Sequence, residues 1–166
     1  MKAALYERFG PPNVLGYEDI KDPTAGTQEI VVKVHAVTVN RVLDCAVRAG
    51  EQSQRGVVLP HVGGVDPAGI VVEVGDDVYN VRVGDRVGLL SRIPCLECAR
   101  CRAREFKKCT NSRMLGVGCW GGAAELVKVP ASVAVKLPEN LKFAEAAAVS
   151  ESAAVNTSDV ALASAA

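Results

Sequence analysis

Four of the six cysteines of this 166-residue chain fall within fifteen consecutive positions, and this cluster constrains the fold more than any other feature. It consists of Cys95, Cys98, Cys101 and Cys109, so the gaps are two, two and seven residues. Two-residue gaps let a turning backbone direct successive sulfurs towards one point. The seven-residue gap is long enough to bring the fourth sulfur back to the same point. Zn²⁺ prefers a tetrahedron of such ligands, with Zn–S distances of about 2.3 Å. The spacing therefore predicts a zinc site.

Iron–sulfur clusters and disulfides are the alternatives to zinc at these cysteines. The ferredoxin run also has two-residue gaps, but it ends with a three-residue gap and a proline. Here the last gap is seven residues and Thr110 follows, which favours zinc. Four cysteines also allow three disulfide pairings, or they could be buried thiols. Because four thiolates leave no coordination position for water or substrate, we expect the metal to stabilise a loop and not to catalyse.

The N-terminus and the composition bear on compartment and partners. Residues 1–8 contain no apolar core of signal-peptide length. This predicts a cytoplasmic protein, in a reducing environment where clustered cysteines more often bind metal than form disulfides. Apolar residues make up 49% of the chain, but no apolar run is long enough to span a bilayer. The formal net charge is zero, so we expect neither nucleic acid nor a membrane as a partner.

Hydrophobic patterning predicts mainly β-structure with short helices. The expected strands cover 1–6, 29–39, 65–74, 83–90, 124–129 and 132–137. A short helix is expected from Arg41 to Ala49, with Gly50 as its C-cap. Short strands at this spacing, with many glycines, are typical of an antiparallel barrel or sandwich. Residues 143–166 contain ten alanines, which predicts a helical tail.

Several motifs occur in collinear order over about residues 1–150. They are Met1-Lys-Ala-Ala-Leu-Tyr-Glu-Arg-Phe-Gly10, Ala36-Val-Thr-Val-Asn40, Leu59-Pro-His-Val-Gly-Gly-Val-Asp-Pro-Ala-Gly69, Val74-Gly75, Val83-Gly-Asp-Arg-Val87, the four clustered cysteines and Gly121-Gly-Ala-Ala-Glu125. In this order they resemble the GroES-like N-terminal domain of the medium-chain dehydrogenase/reductase family, which includes zinc-type alcohol dehydrogenases and quinone oxidoreductases. The resemblance implies a partly open antiparallel β-barrel over residues 1–142, with a zinc-binding lobe at about 92–113.

The residues that hold a catalytic zinc in the family's alcohol dehydrogenases are replaced here. Those enzymes use a cysteine three residues before an aspartate, and a histidine in a Gly-His-Glu motif. In this chain the aspartate is Asp44, and the cysteine position falls on Arg41, or on Asn40 with one residue inserted. Gly64-Val65-Asp66 replaces the histidine motif, so we expect no catalytic zinc. The pattern resembles the quinone-oxidoreductase branch, which implies that Asn40, Asp44 and Asp66 border the substrate cleft.

Two further residues are candidates that we do not expect to bind metal. Cys45 lies one position beyond Asp44 and does not match the ligand position. A lone cysteine on a short helix is expected to be a small buried hydrophobic residue. His61 is expected to be a loop histidine.

The family's nucleotide-binding domain would begin near residue 150, and we do not expect it within these 166 residues. Gly116-Val-Gly118-Cys-Trp-Gly121 is similar to a dinucleotide fingerprint, which requires a strand, the glycines and then a long helix. Pro130 follows within nine residues of Gly121 and leaves no room for that helix. We therefore expect a glycine-rich turn, no cofactor-binding residues and no NAD(P) bound by this chain.

Two functions are consistent with these expectations. The first is a zinc-stabilised module that does not transfer hydride alone, because such catalysis needs a nicotinamide fixed against the substrate. The alternative is the substrate-side half of an NAD(P)-dependent oxidoreductase, completed by a separate nucleotide-binding chain. In either case an apolar cleft surface would be exposed, so we expect a homo-oligomer or docking of the alanine-rich tail.

Basic residues surround the predicted lobe and raise the question of phosphate contacts. They are Arg92, Arg100, Arg102, Arg104, Lys107, Lys108 and Arg113. Zinc with four thiolates carries a net charge of about −2, and neighbouring cations offset it. The lobe has no interleaved aromatic residues beyond Phe106. Nucleic-acid binding is therefore the weaker interpretation.

Overall fold

A computed structural model of the chain describes residues 1–155, apart from the side chains of Lys107, Ser150 and residues 151–155. The strands are β1 (Lys2–Tyr6), β2 (Gly16–Asp19), β3 (Glu29–Val37), β4 (His61–Val62), β5 (Pro67–Val74), β6 (Arg86–Leu89), β7 (Arg92–Ile93), β8 (Arg113–Met114), β9 (Leu126–Pro130) and β10 (Ala134–Lys136). The α-helices are α1 (Arg41–Ala49), α2 (Ala99–Arg102) and α3 (Phe143–Val155). The prediction of mainly β-structure with short helices is confirmed.

The strands form a curled, partly open antiparallel β-barrel. A five-stranded sheet has the order β10-β6-β5-β3-β9, and a three-stranded sheet has the order β2-β1-β4. An antiparallel bridge between Ala3 and Ala124 joins the two sheets. A small third sheet pairs β7 with β8. Every pairing between these strands is antiparallel, as the sequence predicts.

The pairing of β3 with β5 determines where these two strands end, and here the structure differs from the sequence prediction. Val37 pairs with Pro67 at the end of the ladder, although the two strands were expected to include Val39 and Val65. Proline has no N–H to donate to a ladder, so it suits the first position of β5. At Gly69, a Cβ would lie 2.0 Å from the Lys33 carbonyl oxygen. The close approach of the strands at that point therefore requires glycine.

Aliphatic side chains from the five-stranded sheet form the main core. They include Ile30, Val32, Val71, Val87, Leu89, Val127 and Val129. Each fully buried side chain of this type contributes roughly 1.5–3 kcal/mol. Ile93 and Leu115, which lie at the two ends of the cysteine segment, belong to the same core. The segment is therefore anchored at both ends.

Helix α1 has the predicted bounds and the predicted glycine C-cap, with Gly50 in the left-handed conformation at φ 90°. Its buried face carries Val47, which packs in a second core with Tyr6 and Val65. Cys45 is exposed, so the expectation that it is buried is wrong. Two helical positions separate it from Val47, a rotation of about 200° at 3.6 residues per turn, so it lies on the opposite face.

Helix α3 covers the first part of the predicted alanine-rich tail. Ala146 and Ala147 are buried against Ala68 of β5. Residues 156–166, the rest of that prediction, lie outside the described residues. Among the described residues, no helix is both long and apolar enough to cross a membrane.

Candidate metal centre and cleft

The four predicted zinc ligands lie together in a lobe between β7 and β8. The pairs Arg92–Met114 and Ile93–Arg113 close the base of this lobe as a short antiparallel ladder. Cys98 is the N-cap of α2, and Cys101 lies within that helix. Cys109 follows a 3₁₀ turn at Phe106–Lys108. The short helix α2 and the turns on either side of it therefore place all four sulfurs close together.

The spacing of the sulfurs fits a single zinc ion. All four Sγ atoms lie within 4.8 Å of one another. Cys109 Sγ is 3.5 Å from Cys95 Sγ and 4.0 Å from Cys98 Sγ, and Cys95 Sγ is 3.9 Å from Cys101 Sγ. A tetrahedron with Zn–S distances of 2.3 Å has S–S edges of about 3.8 Å. The donor set and its dimensions match the sequence prediction.

Backbone N–H groups stabilise negative charge on these sulfurs. The Cys98 N–H donates to Cys95 Sγ at 3.4 Å, and the Cys95 N–H donates to Cys109 Sγ at 3.3 Å. Leu96, between the first two ligands, has a positive φ of 63°, which turns the backbone into this arrangement. Hydrogen bonds to the charged form favour it, so the turn prepares thiolates for a cation.

The electrostatics of the individual thiols differ. The N–H groups of Cys101 and Thr110 lower the pKa of Cys98 to about 6. The Cys95 N–H likewise lowers the pKa of Cys109. Burial raises the pKa of Cys101 to about 12. Two positions thus favour thiolate, while the buried Cys101 thiolate needs a bound cation to compensate for its desolvation.

Ion pairs on the outside of the lobe hold its turns. Glu105 accepts from Arg100 at 2.8 Å and from Lys108 at 2.9 Å. The hydrogen bonds from Lys108 and then Arg100 lower the pKa of Glu105. Arg100 and Lys108 are exposed and Glu105 is half-buried, so each pair contributes little stability. The single negative charge of Glu105 offsets one of these two positive charges.

The three predicted cleft residues lie on two segments in contact with each other. The Asn40 side chain caps α1 by accepting from the Leu43 N–H at 2.9 Å. On the second segment, Asp66 is 1% exposed, and Thr38 Oγ1 donates to its Oδ2 at 3.4 Å. A Cβ on Gly63 would lie 3.8 Å from Asp44 Oδ1. The structure therefore brings Asn40, Asp44 and Asp66 into one region at the start of α1.

Val65 and the distribution of metal-ligating groups over the described side chains bear on a second metal site in this region. Val65, at the family's histidine position, is buried in the apolar core beside Val117. Among the described side chains, the four lobe cysteines are the one group of three or more His, Cys, Asp or Glu residues placed to hold a metal. Val65 offers no ligand atom at the position of the family's histidine.

His61 is buried on β4, so the expectation of a loop histidine is wrong. Its Nε2–H donates to the Gly116 carbonyl at 3.0 Å, and its ring lies 5.5 Å from that of Tyr6. Burial lowers the pKa of His61, opposed by hydrogen bonds to backbone carbonyls. The histidine therefore joins the glycine-rich segment to the barrel.

The glycine-rich segment is a turn, as predicted. Residues 116–118 form a turn, no helix follows before β9, and Gly121 lies against the backbone of Gly63 and Gly64. A Cβ on Gly121 would lie 2.3 Å from the Gly64 carbonyl oxygen. These glycines permit close packing of two backbone segments beside the cleft.

Two residues near the cleft were not singled out from the sequence. Thr38 contacts Asp66, and Tyr6 is buried, with its pKa raised to about 12 by burial and by the nearby Asp44 carboxylate. Thr38 lies inside the Ala36–Asn40 motif, so that motif could have indicated from the sequence that Thr38 lies near Asn40 and Asp66. Nothing in the sequence distinguishes Tyr6 from any other residue of the predicted first strand, so its burial near Asp44 could not be predicted.

The chain combines a curled antiparallel barrel with a four-cysteine lobe. These two features together are those of a GroES-like domain with a metal-binding lobe. Residues 26–139 match the family model of the alcohol dehydrogenase GroES-like domain. The chain belongs to this family, which confirms the resemblance seen in its motifs.

Individual relatives agree with this assignment. An alcohol dehydrogenase of Geobacillus stearothermophilus is 32% identical over 150 residues, covering 90% of this chain and 43% of that protein. The crystal structure of an NAD-dependent alcohol dehydrogenase has a TM-score of 0.81 at 37% identity, covering 89% of this chain and 43% of that one. A cobalt- and zinc-bound thermostable alcohol dehydrogenase from Pyrobaculum aerophilum has a TM-score of 0.79 at 31% identity, covering 90% and 44%. The chain thus spans less than half the length of these relatives.

Proposed function

We propose that residues 1–155 are the zinc-stabilised, substrate-side domain of an alcohol-dehydrogenase-type oxidoreductase, and that the zinc is structural. The observation that carries this proposal is the closed shell of four sulfurs within 4.8 Å of one another. Four protein ligands fill the tetrahedral coordination of Zn²⁺ and leave no position for substrate. When bound, the ion cross-links the turns of the lobe and supplies no step of a reaction.

Asn40 and Asp44 are half-buried and would bind and orient a polar substrate, whereas the buried Asp66 would support the segment beside them. Asn40 is the N-cap of α1, and Thr38, two residues earlier, donates a hydrogen bond to the Asp66 carboxylate. Val65 and Arg41 stand where a zinc-dependent relative has ligands, which supports chemistry without catalytic zinc, as in the quinone-oxidoreductase branch. Hydrogen-bonding groups on a rigid element are suited to positioning a carbonyl or hydroxyl group.

Hydride transfer in this proposal needs a nucleotide-binding unit in addition to residues 1–155. The strand pairings among those residues are antiparallel, and the glycine-rich turn at 116–118 leads into no helix. A dinucleotide site requires a parallel strand–helix–strand unit. The described domain alone is therefore expected to bind neither NADH nor NADPH and to be inactive by itself. With free thiols at its metal site, we place it in the cytoplasm.

A nucleotide-binding chain acting in trans is the second candidate, favoured by an exposed apolar surface beside the cleft. Val39 is 84% exposed and Val42 is 74% exposed, and they flank Asn40 on both sides. Apolar side chains at such a position are suited to burial by a partner. A second copy of this chain would bury them equally well, and light scattering at increasing protein concentration separates a homo-oligomer from a monomer.

Metal analysis tests the structural role of zinc. We expect one zinc per chain, and Cys98→Ser should weaken zinc binding by more than the roughly 10–100-fold typical of changes next to a ligand, with a parallel loss of thermal stability. The matched control is Cys45→Ser, because Cys45 is exposed and lies outside the lobe. Unchanged zinc content and stability in Cys98→Ser would contradict the proposed cage.

Cofactor titration tests the second part of the proposal. Trp120 is partly exposed, and its indole N–H donates to the Pro60 carbonyl at 2.8 Å. Its fluorescence should not change saturably with NADH or NADPH for the isolated chain. Saturable binding would show that the chain completes a nucleotide site by itself and would overturn this part while leaving the zinc result intact.

A further inference from the structure

A groove of about 610 Å³ lies between the lobe and the barrel, away from the cleft residues. We call it the lobe groove and define it by Leu90, Arg92, Pro94, Arg104, Phe106 and Val133. Asn40, Asp44 and Asp66 do not line it. Its volume lies within the roughly 300–1,000 Å³ typical of small-molecule sites.

The walls of the lobe groove are largely apolar. Pro94 and Val133 are buried beneath it, and Leu90 is half-buried. Phe106 is 39% exposed, on the 3₁₀ turn of the lobe, and presents a ring to this space. An exposed aromatic ring that shares a groove with aliphatic side chains can contact the flat or aliphatic body of a ligand.

Two guanidinium groups at the groove have no carboxylate partner among the described residues. Glu105 also lines it, but its carboxylate already pairs with Arg100 and Lys108. Among the described residues, neither Arg92 nor Arg104 forms an ion pair with a carboxylate. The groove therefore combines apolar walls with two cations available to an anion.

The backbone at Arg104 has a conformation that is uncommon for a residue with a long side chain. Arg104 has a φ of 59°, in the left-handed region that favours glycine. It ends the turn after α2, where its N–H donates to the Cys101 carbonyl at 2.9 Å. A long charged side chain at a conformation that glycine adopts without strain is a reason to look for a role of that side chain.

We propose that the lobe groove binds a small organic anion with an apolar body. Arg92 and Arg104 would hold its carboxylate, sulfonate or phosphate group, because a guanidinium presents paired donors to such oxygens. The apolar body would lie against Phe106 and the aliphatic walls. This site is separate from the zinc shell and from the cleft.

Binding of 8-anilinonaphthalene-1-sulfonate to the zinc-loaded full chain tests the proposal. We expect saturable 1:1 binding, and at least about tenfold weaker binding of the neutral analogue N-phenyl-1-naphthylamine, since a charge-assisted contact is lost. Inorganic sulfate, which lacks the apolar body, should not bind measurably. Equal binding of the charged and neutral probes, or no saturable binding of the charged one, would overturn the proposal.

Variants locate the site. Arg104→Gly should weaken binding of the charged probe by about tenfold while leaving thermal stability unchanged or higher, because glycine relieves the left-handed strain. Arg92→Ala should weaken it to a similar extent. Arg102→Ala is the matched control, since Arg102 is exposed on α2 and does not line the groove. Wild-type affinity in both Arg104→Gly and Arg92→Ala would overturn the assignment.

Discussion

The Asn40 N–H donates to Oδ2 of Asp44 at 2.7 Å, and the Asn40 side chain in turn caps the helix that carries Asp44. Two of the three predicted cleft residues therefore fix the start of α1. This reciprocal arrangement satisfies N–H groups that a helix N-terminus otherwise leaves without partners. The same contacts orient Asn40 and Asp44, the residues that we propose border a substrate cleft.

Replacing Asn40 by alanine should remove the cap. We expect the free energy of unfolding to fall by about 1 kcal/mol, measured by urea denaturation, with zinc content unchanged. Asn40→Ser keeps a side-chain acceptor and should recover most of the loss. Equal stability of Asn40→Ala and the unmodified chain would show that the cap contributes nothing.

Gly64 lies where two backbone segments meet, two residues before Asp66. It has a φ of 91°, and a Cβ there would lie 2.7 Å from the Ala123 nitrogen and 2.9 Å from Val37 Cγ2. Gly64→Ala should lower the free energy of unfolding by roughly 2–5 kcal/mol, as left-handed strain adds to overpacking.

Gly56 provides the matched control for Gly64 in the same denaturation experiment. It has a φ of 81°, but a Cβ there would have no neighbour within 4 Å. Gly56→Ala should therefore lower the free energy of unfolding by only about 1–2 kcal/mol, because only the left-handed backbone conformation is unfavourable for alanine there. Equal costs at the two positions would mean that the close packing around Gly64 relaxes freely.

Much of this architecture is predictable from the sequence because its signals are local. The spacing of Cys95, Cys98, Cys101 and Cys109 depends on turn geometry, and the helix at Arg41–Ala49 is marked by its glycine C-cap. The strand ends are less predictable, since β5 begins at Pro67 only because of its ladder with β3. Local patterns contain no information about that partner.

Burial of single residues was the least predictable feature. Cys45 was expected to be buried and is exposed, because the direction in which α1 packs is decided by Val47 and its tertiary partners. His61 was expected in a loop, but the Gly116 carbonyl, 55 positions away, provides its partner inside the barrel. Residue type alone does not reveal a contact at that separation.

The burial of His61 predicts a pH dependence of stability. Burial lowers its pKa in the folded chain below the ordinary value of 6.5, so the unfolded chain binds the proton more tightly. The stabilisation is fully present above about pH 6.5 and is lost as the pH falls through the folded-state pKa. The free energy of unfolding should therefore decrease on acidification from about pH 7.5 to about pH 5.5.

His61→Gln isolates this contribution. Glutamine retains a donor for the Gly116 carbonyl but does not titrate, so the variant should lose less stability than the unmodified chain over the same pH range. Excess zinc in both samples, with metal content checked at each pH, removes the separate effect of thiolate protonation. Parallel stability curves for the two proteins would contradict a role for His61.

An aromatic residue docks helix α3 on the barrel. The Phe143 ring stacks on His35 with centroids 4.7 Å apart, and the Arg86 guanidinium lies 4.2 Å from the same ring. Phe143→Ala removes both contacts and leaves the helix held by small alanine side chains. We expect hydrogen exchange of the amides at 146–149 to become about tenfold faster, consistent with loss of a cation–π contact and of buried ring area.

Two further variants decide whether the ring itself docks the helix. Phe143→Tyr keeps the aromatic face and should exchange like the unmodified chain. Val149→Ala changes a side chain that is 53% exposed, and it should have little effect on the exchange rates. If Phe143→Ala leaves these amides protected, then the burial of Ala146 and Ala147 against Ala68 is sufficient for docking. In that case the packed alanines, and not the aromatic stack, hold the helix on the sheet.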